Sequence, residues 1–262
     1  MESTHDITNS RLLMAYALLI IPIFLAYFLK VKIIRQLVVA ALRMTGQLFV
    51  VGLALVYFFD LESRVANICW VIAMIVFAAL SSINSSDLKI RQFFTPVFSA
   101  FFISTSLILV FFNGVLIGLD NIFEARYLIV IGGMLMGNSL KGNIIGISRF
   151  YESIKNEELR YLNQIALGAN QYEALLPFFR ESLTAALKPF IATMATMGLV
   201  FLPGMMTGQI IGGEEPIVAI KYQIAIMIAV FVATTLSVTL TIFFSFRQCF
   251  NSYGVLKRHI FK

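Results

Sequence analysis

IAIMIAVFVATTLSVTLTIFFSF, residues 224–246, runs for 23 residues without a charged side chain. A helix rises about 1.5 Å per residue, so this stretch is long enough to cross the hydrocarbon core of a bilayer. It is not isolated. Comparable apolar runs recur along the chain, and spans are expected at 12–29, 37–59, 65–80, 94–118, 127–147, 190–211 and 217–246. Of 262 residues, 59% are hydrophobic and 13% charged, whereas a soluble domain carries roughly 25% charged residues. Such a chain cannot cover a water-facing surface of its size. Backbone inside lipid must satisfy its own hydrogen bonds, so the runs are helices. The alternating ten-residue strands of a membrane barrel are not seen. The expected fold is therefore all-α: a polytopic transmembrane helix bundle of about seven spans, forming a single membrane domain over 1–262.

Loop charges orient the bundle. One set of loops holds Lys30, Lys32, Arg35, Lys89, Arg91, Arg149, Lys155, Arg160, Arg180, Lys188, Arg247, Lys257, Arg258 and Lys262, which is 14; the other holds Arg11, Arg64 and Arg126, which is 3. The positive-inside rule then puts the N-terminus outside and the C-terminus in the cytoplasm, which requires an odd number of spans. This asymmetry accounts for the net charge of +6 without nucleic acid as a partner. The outer loops are acidic by comparison, with Asp60, Glu62, Asp120, Glu124, Glu214 and Glu215. Arg43, Lys141 and Lys221 fall within spans. The first run lacks a basic start and a small-x-small cleavage site, and Lys30, Lys32 and Arg35 follow it at once, so it reads as a span and not as a cleaved signal.

Several chemistries are disfavoured. Cys69 and Cys249 have no metal-ligand spacing and fall on opposite sides of the membrane, so they cannot pair. His5 and His259 lie near the termini, leaving zinc-type catalysis without a ligand set. No nucleophile or metal cluster is visible, so the chain does not read as an enzyme. All 14 acidic residues fall in loops or at span ends, which weakens proton- or sodium-coupled transport.

Span five contains Gly132-Gly133-Met-Leu-Met-Gly137-Asn138-Ser139-Leu-Lys141-Gly142-Asn143-Ile-Ile-Gly146. Gly133/Gly137 and Gly142/Gly146 each have the small-x-x-x-small spacing that lets helices approach closely in lipid. At 100° per residue the two pairs lie on opposite faces, which predicts a helix packed on both sides, central in the bundle. Asn138 and Ser139, and Gln47 on span two, sit near mid-membrane. Polar side chains at that depth either line a translocation path or bond between helices. Span six ends Leu202-Pro203-Gly204-Met205-Met206-Thr207-Gly208-Gln209. Read as a kink inside a span, Pro203 lacks the N–H that would pair the Leu199 carbonyl, and Gly204 adds flexibility. A broken helix at membrane depth marks a gate, a binding site or a fit to neighbouring helices. Met205 and Met206 are either soft-metal ligands or plastic packing.

The one long connection, 148–189, is balanced in charge and expected to be cytoplasmic. Within it, Leu167-Gly168-Ala169-Asn170-Gln171-Tyr172 resembles the coupling loop of ABC import permeases, although Tyr161-Leu162-Asn163 stands where the importers carry Glu-Ala-Ala. A closer resemblance is to the FetB family. It rests on Arg43-Met-Thr-Gly-Gln47-Leu48, Gly137-Asn138-Ser139-Leu140, Leu167-Gly168-Ala169, Leu202 to Gln209, and Tyr222-Gln223, with the Pro-Gly-Met-Met-Thr-Gly-Gln run the most specific. That family implies an ABC permease for metal (iron) export in bacteria, in the plasma (inner) membrane, with ATP bound on a separate ATPase subunit. Its plant relatives are tied to aluminium tolerance and sugar-nucleotide movement. No phosphate-binding loop of the Gly-x-x-x-x-Gly-Lys-Ser/Thr type occurs in this chain, and one coupling segment per chain implies a homodimer of permeases. No cofactor is expected on this chain, and its metal ligands, if any, are not specified by the sequence. The alternatives are a permease for a sugar nucleotide or other metabolite, and a secondary transporter or channel.

Overall fold

The computed structural model describes residues 8–61, 63–251, 254–257 and 260–262. His5, Glu62, Arg258 and His259, used in the readings above, lie outside the described residues. Among those described, the chain forms ten α-helices and no strand: α1 (Asn9–Ala17), α2 (Ile20–Phe28), α3 (Ile34–Leu61), α4 (Arg64–Ser85), α5 (Ile90–Val110), α6 (Ala125–Asn156), α7 (Glu158–Ala166), α8 (Gln171–Thr196), α9 (Gly204–Ile211) and α10 (Pro216–Cys249). A π-helical turn, Phe111–Leu116, extends α5. Among the described residues, six stretches are long and apolar enough to cross a membrane: Ser10–Phe28, Ile34–Leu61, Arg64–Ser85, Ile90–Leu116, Ala125–Asn156 and Pro216–Phe246.

These six match six of the seven expected spans. The stretch 190–211 is different: it is not one helix. α8 ends at Thr196, and Met197–Phe201 forms a tight non-helical turn in which Gly198 takes φ 83° and its N–H donates to the Phe201 carbonyl. Pro203 then caps α9 with φ −64° and ψ 145°. The proline therefore stands just before a helix, where its missing N–H costs nothing, and does not strip Leu199 of a helical partner. Its carbonyl accepts from both the N–H and the Oγ1 of Thr207, at 2.9 and 3.0 Å. The expected connection 148–189 is likewise structured. It comprises the last turns of α6, all of α7 and most of α8, which begins with a capping box: Asn170 Oδ1 accepts from Glu173 N, and Glu173 Oε2 accepts from Asn170 N.

Contacts sort the helix ends into two sets. At one end the α4–α5 turn meets the C-terminal tail, where Lys89 N donates to Ile260 O and Lys262 N to Asp87 O. α7 joins them through Tyr161, whose hydroxyl donates to Gly254 O at 2.6 Å. We call this the tail end; Lys155 lies there, over the Phe261 ring. At the far end Asn67 Nδ2 donates to Phe123 O at 3.0 Å, and Arg126 stands over Phe59. α8 rises from the tail end beside α6, with Glu181 paired to Arg149, and Phe190 reaches Phe231 of α10.

α10 is the pivot of the bundle, packing on α5, α6 and α8, while α6 also packs on α4. Gly142 and Gly146 face α10: a β-carbon on Gly146 would fall 2.6 Å from Val238 Cγ1, and one on Gly142 would collide with Thr234 Cγ2. Gly133 faces α4, where a β-carbon would meet Met74 Cε at 3.2 Å. α6 is packed on two sides, on α4 and α10, as expected, but Gly137 takes no part in the close α4 approach: nothing lies within 4 Å of where its β-carbon would stand. α1–α3 stand apart; α3 buries none of its residues, and Tyr16 bonds Thr45 across α1 and α3.

Candidate functional site

Three features emerge from this packing. The first is a cleft between α3 and the α4–α6 pair. Its middle is a cavity of about 610 Å³ lined by Gln47, Val50, Trp70, Met74, Gly133 and Gly137 among others. A second cavity of about 320 Å³ lies at the far end, lined by Phe58, Asn67, Asn121, Glu124 and Arg126 among others. Phe58 lines one and Trp70 the other, and the two rings touch at 5.0 Å. Gly137 has open space where a β-carbon would stand. Asn67 is 3% exposed, and its Oδ1 has no protein partner. The cleft thus offers apolar walls with a few polar groups, the usual composition of a small-molecule site.

The second feature is a polar seam between α6 and α10. Asn143 is fully buried and donates to Ser237 Oγ at 2.6 Å and to Ser139 O at 3.1 Å. Tyr151 and Ser245 share a hydrogen bond of 2.6 Å. Thr234 and Thr241 are buried on the same side. Interhelical bonds of this kind are each worth about 0.6–2 kcal/mol in a membrane, and close backbone approach at Gly142 and Gly146 makes them possible.

The third is the corner between α7 and α8. Gly168 has φ 97°, a conformation that any side chain would strain. Leu167 beside it is 88% exposed, and Tyr172 is exposed but stacks on Phe246 at 5.1 Å. Behind the corner, Gln171 Nε2 donates to Tyr161 Oη at 3.3 Å and the capping box fixes Asn170. Burial pushes the Tyr161 phenol above its ordinary range, so it remains a neutral donor to Gly254. Leu167, Gly168 and Ala169 therefore ride on a braced support, not a loose loop.

The residues picked from sequence separate accordingly. Gln47 lines the cleft. Asn138 is half-buried and donates back to Met134 O of its own helix at 2.9 Å. Ser139 turns to the α10 side and is buried with Oγ unpaired. Gly204, Met205, Met206, Thr207 and Gln209 belong to α9, which packs on α10. Met206 is buried, Met205 packs against the core, and Gln209 Oε1 is buried without a partner. Neither cavity of the cleft is lined by residues 203–209. Sequence reasoning passed over Asn143 and its α10 partners. Their signal was present as small polar residues at Thr234, Ser237, Thr241 and Ser245, a three-to-four-residue repeat marking one helical face. Among the described residues, no group of three His, Cys, Asp or Glu side chains is placed to hold a metal ion.

Fold and sites together define a polytopic α-helical protein embedded in the membrane, with a cleft along one side and a braced corner at one end. The chain belongs to the Uncharacterised protein family (UPF0014), which it matches over residues 9–250. It is 29% identical over 251 residues to the "Probable iron export permease protein FetB" of Escherichia coli (strain K12), covering 95% of each chain. It is 30% identical to the "UPF0014 membrane protein slr1647" of Synechocystis sp., covering 84% of this chain and 85% of that one. "Protein ALUMINUM SENSITIVE 3" of Arabidopsis thaliana is 27% identical, over 94% of this chain and 89% of its own. No solved structure matches.

Proposed function

We propose that this chain is the membrane-spanning permease of an ABC-type exporter, driven by a separate ATPase subunit that docks on residues 167–172. The carrying observation is the α7–α8 corner. A leucine 88% exposed at the end of a rigid, charged helical hairpin is poorly placed for lipid and well placed for a protein partner. The tail end holds the lysine- and arginine-rich loops, so the positive-inside rule puts it in the cytoplasm of a bacterial plasma membrane, where ATP is available. Two copies of the chain meet two ATPases, and ATP is bound only on those partners. The cargo is metal-linked by analogy with the FetB protein named above, and it moves along the α3–α4–α6 cleft past Gln47 and the Gly137–Asn138 step. The α9 segment, Pro203–Gln209, does not line that cleft; it packs on α10, and a gating role for it would act on release through α10.

The test is purification of the tagged chain from its native membranes in mild detergent. An ATP-binding-cassette subunit at one copy per permease chain is the expected result. A chain that purifies alone and still catalyses transport overturns the proposal in favour of a secondary transporter.

A further inference from the structure

The three helices that wall the cleft carry an unbalanced charge. Between residues 36 and 59 of α3, the sole charged residue is Arg43; between 127 and 148 of α6, it is Lys141; between 65 and 85 of α4 there is none. Both cations are solvent-exposed in the protein alone. Among the described residues the ion pairs are Arg149–Glu181 and Arg160–Glu157, so neither Arg43 nor Lys141 has a carboxylate partner. α3 and α6 run antiparallel, since Arg126 at the start of α6 stands 5.7 Å from the Phe59 ring near the end of α3. Arg43 lies one turn before Gln47, and Lys141 one turn after Gly137. Both therefore extend the cleft from its middle cavity toward the tail end, each on the helical face of a residue that lines it. At the far end the second cavity is lined by both Arg126 and Glu124, so its walls carry one charge of each sign. Unpaired charge at membrane depth is expensive unless a counter-charge is supplied.

Resting on the permease reading above, we propose that this cleft takes an anionic cargo: a small solute whose phosphate or carboxylate oxygens supply the counter-charge for Arg43 and Lys141. A bare divalent cation meets two positive charges and no carboxylate in the middle of the membrane. A metal that travels this way does so as a negatively charged chelate. The middle cavity itself is walled by apolar side chains with Gln47 as its polar group, so it gives a bare cation no ligand set, and the two cations stand beyond its lining on the tail side. Arginine's planar fork matches such oxygens bidentately. The same chemistry is offered by lipid phosphates, toward which long basic side chains can snorkel, and the experiment separates the two.

The full chain is placed in phosphatidylcholine nanodiscs, and binding of citrate, pyrophosphate, ferric citrate and Fe²⁺ is measured by calorimetry. At least one of the three anions should bind. Arg43→Gln with Lys141→Gln should weaken it about tenfold or more, a loss of about 1.4 kcal/mol, while Arg43→Lys, which keeps the charge but loses the planar fork, should fall between the wild type and Arg43→Gln. Each single variant is measured too, so that one poorly folding protein does not decide the matter. Equal anion binding by wild type and the double variant overturns the proposal, as does binding of Fe²⁺ alone. So does an effect of the two cations that appears only when phosphatidylglycerol replaces the zwitterionic lipid, because the cations then serve headgroups. ATPase association is measured on the same variants and is expected to be unchanged; its loss from wild type would count against the permease reading and not against the charge of the cargo.

Discussion

Leu167→Asp should strip the ATPase subunit from the purified permease while leaving the permease folded and inserted. Leu167 is 88% exposed and makes no contact that the fold needs, so a polar replacement costs the isolated chain little. In the proposed interface the same leucine would be buried in a partner pocket, where an aspartate would leave a charge without water or counter-ion. The expected loss is at least about tenfold in association, near 1.4 kcal/mol. It is read as the ATPase-to-permease ratio after affinity purification. The neighbouring Gly168 is less informative, because its positive φ means that any substitution strains the corner as well as altering its surface. An unchanged subunit ratio in Leu167→Asp, with normal ATP hydrolysis by the complex, would remove this corner from the docking surface.

Gly142→Ala should destabilise the bundle, and Thr234→Ala should rescue it. The added methyl collides with Thr234 Cγ2 but sits at an ordinary 3.9 Å from Thr234 Cβ. Threonine has two favoured rotamers on a helix, and in the tight α6–α10 contact either a turned Thr234 or a small separation of the helices must make room. Separation stretches the Asn143–Ser237 hydrogen bond one residue away. Overpacking of this kind costs about 1–3 kcal/mol, visible as a drop of several degrees in the melting temperature of the detergent-solubilised protein. Thr234→Ala removes the offending methyl together with a buried hydroxyl that has no partner, so the double variant should melt near the wild type. If Gly142→Ala alone melts like wild type, the close α6–α10 approach is not what holds the seam.

The apolar runs carried most of the fold because membrane depth imposes a length and a composition that local sequence cannot disguise. The spacing of Gly133, Gly137, Gly142 and Gly146 was enough to predict a helix packed on two faces, since helical angle follows from residue count alone. The segment 190–211 was harder. A Gly198…Pro203-Gly204 cluster is compatible with a kinked span or with two helices, and the choice depends on the Gly198–Phe201 turn, a contact that hydropathy does not encode. The start of α8 was legible in principle from Asn170 and Glu173, the two ends of a capping box. Asn138 drew attention by its depth, but the buried bridge belongs to Asn143, because only the structure shows which face of α6 meets α10. The bracing of Leu167 depends on Tyr161 reaching Gly254, 93 residues away, and no local pattern announces it.

In the function proposed above, ATP hydrolysis on a partner chain drives cargo through this one. Its most direct test is the complex reconstituted in proteoliposomes, with uptake of radiolabelled iron, supplied free and as citrate chelate, followed into vesicles whose tail end faces the bath. Uptake should require ATP in the bath, stop with a non-hydrolysable analogue and be lost in Leu167→Asp. Uptake that proceeds through the permease chain alone, driven by an ion gradient and indifferent to ATP, would contradict it.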